Sequence, residues 1–217
     1  LSIVQARKEI NLFAERMRRM FGMLNTLLHE TNENEFNKLF SRIEKYENIS
    51  DNMELEIANY LNKVSEGRLS SESKLEIRGM LREVTEIESI GDSCYNLART
   101  INRKRSGGND FTEKQYEHIH QMMQLTDDAL AQMIAIVEDD YHVVDVNKTF
   151  NLENEINNYR AQLKNQNVVD VNNKEYDYQM GVHYMDLIGE CEKLGDYVVN
   201  VVEARTNVKE KKVGDNR

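Results

Sequence analysis

The sequence contains no proline and no tryptophan, and it has only ten glycines and two cysteines among 217 residues. Hairpins and loop-rich folds need proline and glycine for their turns, so this scarcity argues against them and favours long helices. Two cysteines, Cys94 and Cys191, are too few for a disulfide framework, which points to a reduced intracellular setting. No run of apolar residues approaches the roughly 18 that a membrane span requires. We therefore expect a soluble all-α protein.

The chain carries a formal net charge of -10. Binding to nucleic acid phosphates needs a basic surface or a large basic stripe, so an acidic chain argues against a nucleic acid partner. Acidic side chains are instead suited to binding cations.

Weak helix breakers fall at 31–34, 67–71, 105–110, 139–147 and 165–173, and they divide the chain into six predicted helices. The segment RSGGND at 105–110 is the strongest boundary, because its paired glycines end a helix and supply a flexible joint. The sequence thus predicts two three-helix repeats, residues 1–106 and 107–217. Several helices carry a row of apolar residues at three- and four-residue spacing, which we call the seam of each helix.

An internal duplication supports the two repeats. The segment EIESIGDSCYNLA from Glu86 matches ECEKLGDYVVNVV from Glu190 at five identical positions. YENISDNME from Tyr46 likewise corresponds to LENEINNYR from Leu152. The second and third helices therefore correspond to the fifth and sixth.

Four pairs of acidic or amide residues, each spaced four residues apart, follow the seams of the duplicated helices. In every pair, the first member directly follows one seam residue and the second member directly follows the next. Like charges at this spacing destabilise an isolated helix by about 0.2–0.5 kcal/mol, so the repeated register predicts a bound cation. Oxygen ligands suit Mg, Mn, Ca or ferric iron. The pairs are Glu47 with Asp51, Glu88 with Asp92, Glu153 with Asn157, and Glu192 with Asp196.

A simpler alternative is that each pair is a solvated helix face. Neighbouring cations such as Lys45 and Lys193 would then neutralise the carboxylates in weak surface ion pairs. Indifference to chelators would favour this alternative.

The motif Glu-x-x-Gly-Asp-x-x-x-Asn occurs twice, at Glu88–Asn96 and at Glu192–Asn200. With the Glu-x-x-x-Asp helix that precedes its first copy, it resembles the PhoU-like domain family over nearly the whole chain. The resemblance implies two three-helix bundles side by side and regulation of phosphate uptake or signalling rather than catalysis. It also implies a multinuclear cluster of iron, zinc, magnesium or manganese on the eight paired residues. Asn157 departs from the family pattern, which has an acid there.

Two settings are compatible with this resemblance. The chain begins inside a helical pattern at Leu1, and its two ends, QARKEINLFAERMRRMFGML and DYVVNVVEARTNVKEKK, look like those of the cytosolic C-terminal domain of a sodium-dependent phosphate cotransporter of the Na/Pi family. The alternative is a free-standing PhoU-type negative regulator of phosphate uptake and signalling. The expected partner is a phosphate transporter membrane domain, in the same chain or associated with it. The sequence leaves open whether the chain also forms homo-oligomers.

Basic islands at both ends of the first repeat are compatible with a place at the membrane surface. They could meet anionic lipid, so we expect a domain peripheral to the cytoplasmic side of the inner membrane. Helix-end charge is the competing explanation. The islands are Arg16, Arg18 and Arg19, and Arg99, Arg103, Lys104 and Arg105.

Glu117 and His120 form one Glu-x-x-His motif, of which ferritin-like di-metal bundles use two copies. Asp139 and His142 share the spacing but straddle a predicted helix break. A carboxylate-bridged di-metal enzyme is therefore a remote alternative. No glycine-rich phosphate loop or activated nucleophile motif occurs, so we expect no enzymatic activity.

Overall fold

The computed structural model describes residues 2–139 and 145–207. Within these ranges the chain forms six α-helices and no strand, which confirms the predicted all-α class. No helix there is both long enough and apolar enough to cross a bilayer. The end of the basic tail, from residue 208, lies outside the described residues. The helices are α1 Ile3–His29, α2 Glu33–Ser65, α3 Ser71–Ser106, α4 Glu113–Glu138, α5 Asn147–Asn172 and α6 Tyr178–Thr206.

Side-chain caps begin five of the six helices. Each cap accepts a hydrogen bond from a backbone N–H of the first turn, which stabilises a helix start by about 1 kcal/mol. At α4 the cap is reciprocal, because the Gln115 side chain also accepts from the backbone N–H of Thr112. The capping residues are Ser2, Asn32, Ser70, Thr112 and Asp177.

The predicted break at 165–173 is wrong in its position, since α5 continues to Asn172. Tertiary contacts override the low helix propensity of the asparagines in this stretch. The Tyr176 hydroxyl donates a 2.6 Å hydrogen bond to Asn167, and Val171 packs against Gly181 of α6. The chain turns later, where Lys174 adopts a left-handed backbone conformation with φ of 58°.

Helices α1–α3 and α4–α6 each pack together as a three-helix bundle, and α3 and α6 join the two bundles through the most extensive helix contact. The Asn96 side chain donates to Glu190 at 3.3 Å, and that of Asn200 donates to Glu86 at 3.1 Å. These reciprocal bonds show that α3 and α6 run antiparallel and that an approximate twofold axis relates the repeats. One hydrophobic core runs through both bundles. The division into repeats at 1–106 and 107–217 stays a prediction.

Cys94 and Cys191 lie on this shared interface, fully buried and unpaired. Burial raises the pKa of the Cys191 thiol to about 12 and that of Cys94 well above its usual value. Both cysteines therefore serve as small apolar core residues.

Candidate metal centre

Four carboxylates of the first repeat converge where α2 faces α3. Glu47 and Asp51 lie one turn apart on α2, and Glu88 and Asp92 lie one turn apart on α3. One oxygen from each lies within 4.8 Å of the others. The two glutamates are partly buried and the two aspartates are exposed. We call these four residues the acidic cluster.

The close approach of α2 and α3 beside the acidic cluster depends on Gly91. A Cβ atom on this residue would lie 2.8 Å from Oγ of Ser50 and 2.9 Å from Sδ of Met17. Ser50 and Gly91 are the seam residues that directly precede Asp51 and Asp92. Small residues at the seam thus allow the two backbones, and the carboxylates that follow on each, to come together.

The protein itself neutralises the acidic cluster only in part, since the charge of Arg99 lowers the pKa of Glu47 less than burial and the neighbouring carboxyls raise it. Burial and the neighbouring carboxyl of Asp92 raise the pKa of Glu47 to about 8. Burial and hydrogen bonds with Asp51 and Asp92 raise the pKa of Glu88 to about 9. Oε2 of Glu47 is buried without a hydrogen-bond partner. Facing carboxylates of this kind need a shared proton or a cation between them.

Glu54 extends the acidic cluster, although it was not among the residues predicted from the sequence. Burial, Asp51 and Asp92 raise its pKa, which places its charge near theirs. Glu54 directly follows the seam residue Met53, so the register that identified the other acids would also have found it.

The second repeat has a different arrangement at the corresponding positions. Asn157 replaces Asp51, and its amide donates a 2.8 Å hydrogen bond to Glu153. Arg160 replaces Glu54, and its Nε lies 3.5 Å from Oε1 of Glu192. Five acids in the first repeat thus correspond to three acids, one amide and one guanidinium in the second.

The two repeats also differ in their electrostatics and in the distances between their carboxylates. Burial raises the pKa of Glu192, and the charge of Arg160 opposes that rise. In the part of the chain that the structure describes, the acidic cluster is the one group of three or more potential ligands within mutual reach. Glu153, Glu192 and Asp196 do not form a second group of that kind.

The remaining sequence candidates have local partners or lie apart from the acidic cluster. Arg18 makes a bidentate ion pair with Asp127, and Nζ of Lys104 lies 2.7 Å from Oδ1 of Asp110. Several cations of the basic islands are therefore engaged within the protein. His142 lies outside the described residues.

Comparison with known proteins assigns the family. The family model of the PhoU domain matches residues 10–101 and 119–204, one match in each repeat. No curated protein matches the chain in sequence. The fold is similar to the crystal structure of the phosphate transport system regulatory protein PhoU from Streptococcus pneumoniae, with a TM-score of 0.76 and 13% identity over 96% of this chain and 97% of that one. It is also similar to PhoU from Pseudomonas aeruginosa, with a TM-score of 0.71 and 15% identity over 93% and 94% of the two chains. Because the family model covers most of both repeats, this chain belongs to the PhoU domain family.

Proposed function

We propose that this chain is a PhoU-type regulator of phosphate transport that binds metal at the acidic cluster and catalyses no reaction. The observation that carries the proposal is the convergence of Glu47, Asp51, Glu88 and Asp92 within 4.8 Å in a member of the PhoU domain family. The regulatory role is proposed from the likeness to the Streptococcus pneumoniae protein, which is a regulatory protein of a phosphate transport system.

The donor set fits a metal. All four ligands are carboxylates, which suit hard or borderline cations and can bridge more than one ion. The buried, unpartnered Oε2 of Glu47 is a ligand atom that the protein leaves unused. Iron, zinc, magnesium and manganese are the candidate ions. A bound cation would neutralise the acidic cluster, and the four side chains would hold α2 against α3 through it.

We propose further that the second repeat holds no multinuclear cluster. Asn157 and Arg160 already supply a hydrogen-bond donor and a positive charge to Glu153 and Glu192. The predicted ligands Glu153, Asn157, Glu192 and Asp196 then form a site that the chain neutralises with its own side chains.

Of the two settings, the comparisons favour the free-standing regulator. Both PhoU structures align over at least 93% of this chain and of their own length, so this chain spans the fold that those proteins have. Attachment to a sodium-dependent cotransporter draws no support from them. The proposed partner is a phosphate transport system at the cytoplasmic face of the membrane.

Metal analysis of protein purified without chelator tests whether the acidic cluster binds metal. We expect stoichiometric metal, a lower metal content per chain in Asp51→Asn/Asp92→Asn, and an unchanged content in the matched variant Asp196→Asn. Metal-free wild-type protein, or equal loss in Asp196→Asn, would overturn the assignment to the first repeat.

A second experiment tests regulation separately. The chain is expressed in a bacterium lacking its own PhoU, and phosphate uptake is measured in phosphate-rich medium. We expect uptake to fall with the wild-type chain and to stay high with Asp51→Asn/Asp92→Asn. Unchanged uptake with a well-folded wild-type chain would argue against a regulatory role in that transport system.

A further inference from the structure

A second set of possible ligands lies away from the acidic cluster, in a cavity of about 640 Å³ between the end of α1 and the start of α4. His29 is the last residue of α1, and His120 lies on α4. Their Nε2 atoms are 2.6 Å apart, and both side chains are exposed. Two neutral imidazoles at this distance share one proton, with one ring as donor and the other as acceptor.

Glu117 provides a carboxylate on the same side of α4. It lies one turn before His120 and lines the same cavity as both histidines. The Glu-x-x-His spacing directs a carboxylate and an imidazole of one helix to one metal ion in di-metal bundles. The sequence contains only one complete Glu-x-x-His motif, and the structure adds a second histidine, His29, from the end of α1.

We propose that His29, His120 and Glu117 form a mononuclear site for a divalent transition metal of the zinc type, separate from the acidic cluster. Imidazole nitrogen suits zinc, copper, nickel and iron, and two histidines with one glutamate make a site with a position open to water. His29 belongs to the first repeat and His120 to the second, so the ion bridges the two bundles.

Small local movements complete the site. Two nitrogen ligands on a tetrahedral zinc lie about 3.3 Å apart, so the rings separate slightly. The donor ring changes tautomer, its proton moving to Nδ1, and both Nε2 lone pairs then face the ion. The Glu117 carboxylate is not within 4.8 Å of both nitrogens. Because Glu117 is exposed, a change of rotamer can bring it to the ion.

The cations that line this cavity have partners in its own wall. Lys104 is paired with Asp110 at 2.7 Å. Arg105 donates hydrogen bonds to the backbone carbonyls of Glu30 and Thr31. Both cations are thus already engaged by oxygen atoms of the protein.

Zinc titration calorimetry tests the site in a Glu47→Gln/Asp51→Asn/Glu88→Gln/Asp92→Asn background, which removes all four carboxylates of the acidic cluster. We expect one zinc per chain. His29→Gln and His120→Gln should each weaken binding by at least about tenfold, because loss of even an outer-shell partner of a metal ligand costs 10–100-fold. The matched control is His118→Gln, since His118 lies on the same helix and contacts Tyr184 instead.

Electron paramagnetic resonance of the copper-loaded chain gives a readout that needs no variant at the histidines. Coupling to two imidazole nitrogens is expected in the same background. Absence of zinc binding in that background, retention of binding in either histidine variant, an equal loss in His118→Gln, or a copper spectrum without nitrogen coupling would overturn the proposal. None of these outcomes depends on whether the acidic cluster binds metal.

Discussion

Arg160 occupies the position in the second repeat that Glu54 occupies in the first, and its Nε lies 3.5 Å from the Oε1 atom of Glu192. A guanidinium beside a carboxylate supplies the charge that a metal would otherwise supply. The same helix register therefore carries a guanidinium in the second repeat and a carboxylate in the first.

Exchange of these residues should exchange metal binding between the repeats. We expect Asn157→Asp/Arg160→Glu to raise the metal content per chain, because it gives the second repeat the same five acids as the first. The reciprocal Asp51→Asn/Glu54→Arg should lower it. Elemental analysis after dialysis against the chosen metal measures both, and an unchanged content in both variants would refute the role of these two positions.

Gly91→Ala should destabilise the protein by about 1–3 kcal/mol, the usual cost of overpacking a close contact. Its Cβ would meet Ser50 and Met17 at less than 3.0 Å. Gly195 is the equivalent in the second repeat, and its Cβ would lie 3.4 Å from Ile156, an ordinary contact. Gly195→Ala should therefore cost less than Gly91→Ala.

Gly22→Ala controls for helix propensity alone. This glycine lies inside α1, and a Cβ atom added to it would meet nothing within 4 Å, so alanine should stabilise by up to about 1 kcal/mol. Urea unfolding of metal-free protein compares the three variants. Equal stability of Gly91→Ala and Gly22→Ala would contradict the steric explanation for the approach of α2 and α3.

The sequence was sufficient for the fold class because the helices carry long, regular seams that no proline interrupts. It was also sufficient to predict that the carboxylates of the acidic cluster lie close together, because they share one register on two neighbouring helices. The end of α5 could not be predicted, since Asn167 and Val171 hold the helix together through contacts with a later segment. The pairing of His29 with His120 likewise depends on tertiary packing, since 91 residues separate them.

Arg7 and Glu83 form a buried ion pair between α1 and α3, with contacts of 2.8 and 3.0 Å. Without Arg7, the buried Glu83 keeps only the charge of Arg205 to offset its own, and loss of one partner of a buried pair costs about 3–5 kcal/mol. We therefore expect Arg7→Met to be strongly destabilising in urea unfolding. Arg7→Met/Glu83→Leu should regain most of the loss, because neither charge then stays buried.

The exposed pair of Lys38 and Glu35 is the comparison for this experiment. Its partners lie 3.4 Å apart and are largely solvated. Lys38→Met should change stability by less than about 1 kcal/mol. A similar cost for Arg7→Met and Lys38→Met would show that the buried pair contributes no more than a surface pair.

The metal-free protein should lose stability as pH rises. The folded-state pKa values of Glu47 and Glu88, about 8 and about 9, lie above their ordinary value of 4.5. Between pH 4.5 and about pH 9, the folded protein therefore binds more protons than the unfolded chain. Its free energy of unfolding falls as the pH rises through that range. Urea unfolding in chelator at several pH values measures the slope.

Two comparisons identify the source of that slope. Glu47→Gln/Glu88→Gln should flatten it, because neither amide titrates. Glu138 adds a slope of the same sign, since a hydrogen bond with Glu15 raises its pKa to about 7, so every measurement is made in a Glu138→Gln background. Glu54, Glu83 and Glu192, whose pKa values are also raised, stay in both proteins, so the quantity compared is the difference in slope. Saturating metal should also flatten the slope, because a cation replaces the protons between the carboxylates. An equal slope with and without Glu47→Gln/Glu88→Gln would show that other groups govern the pH dependence.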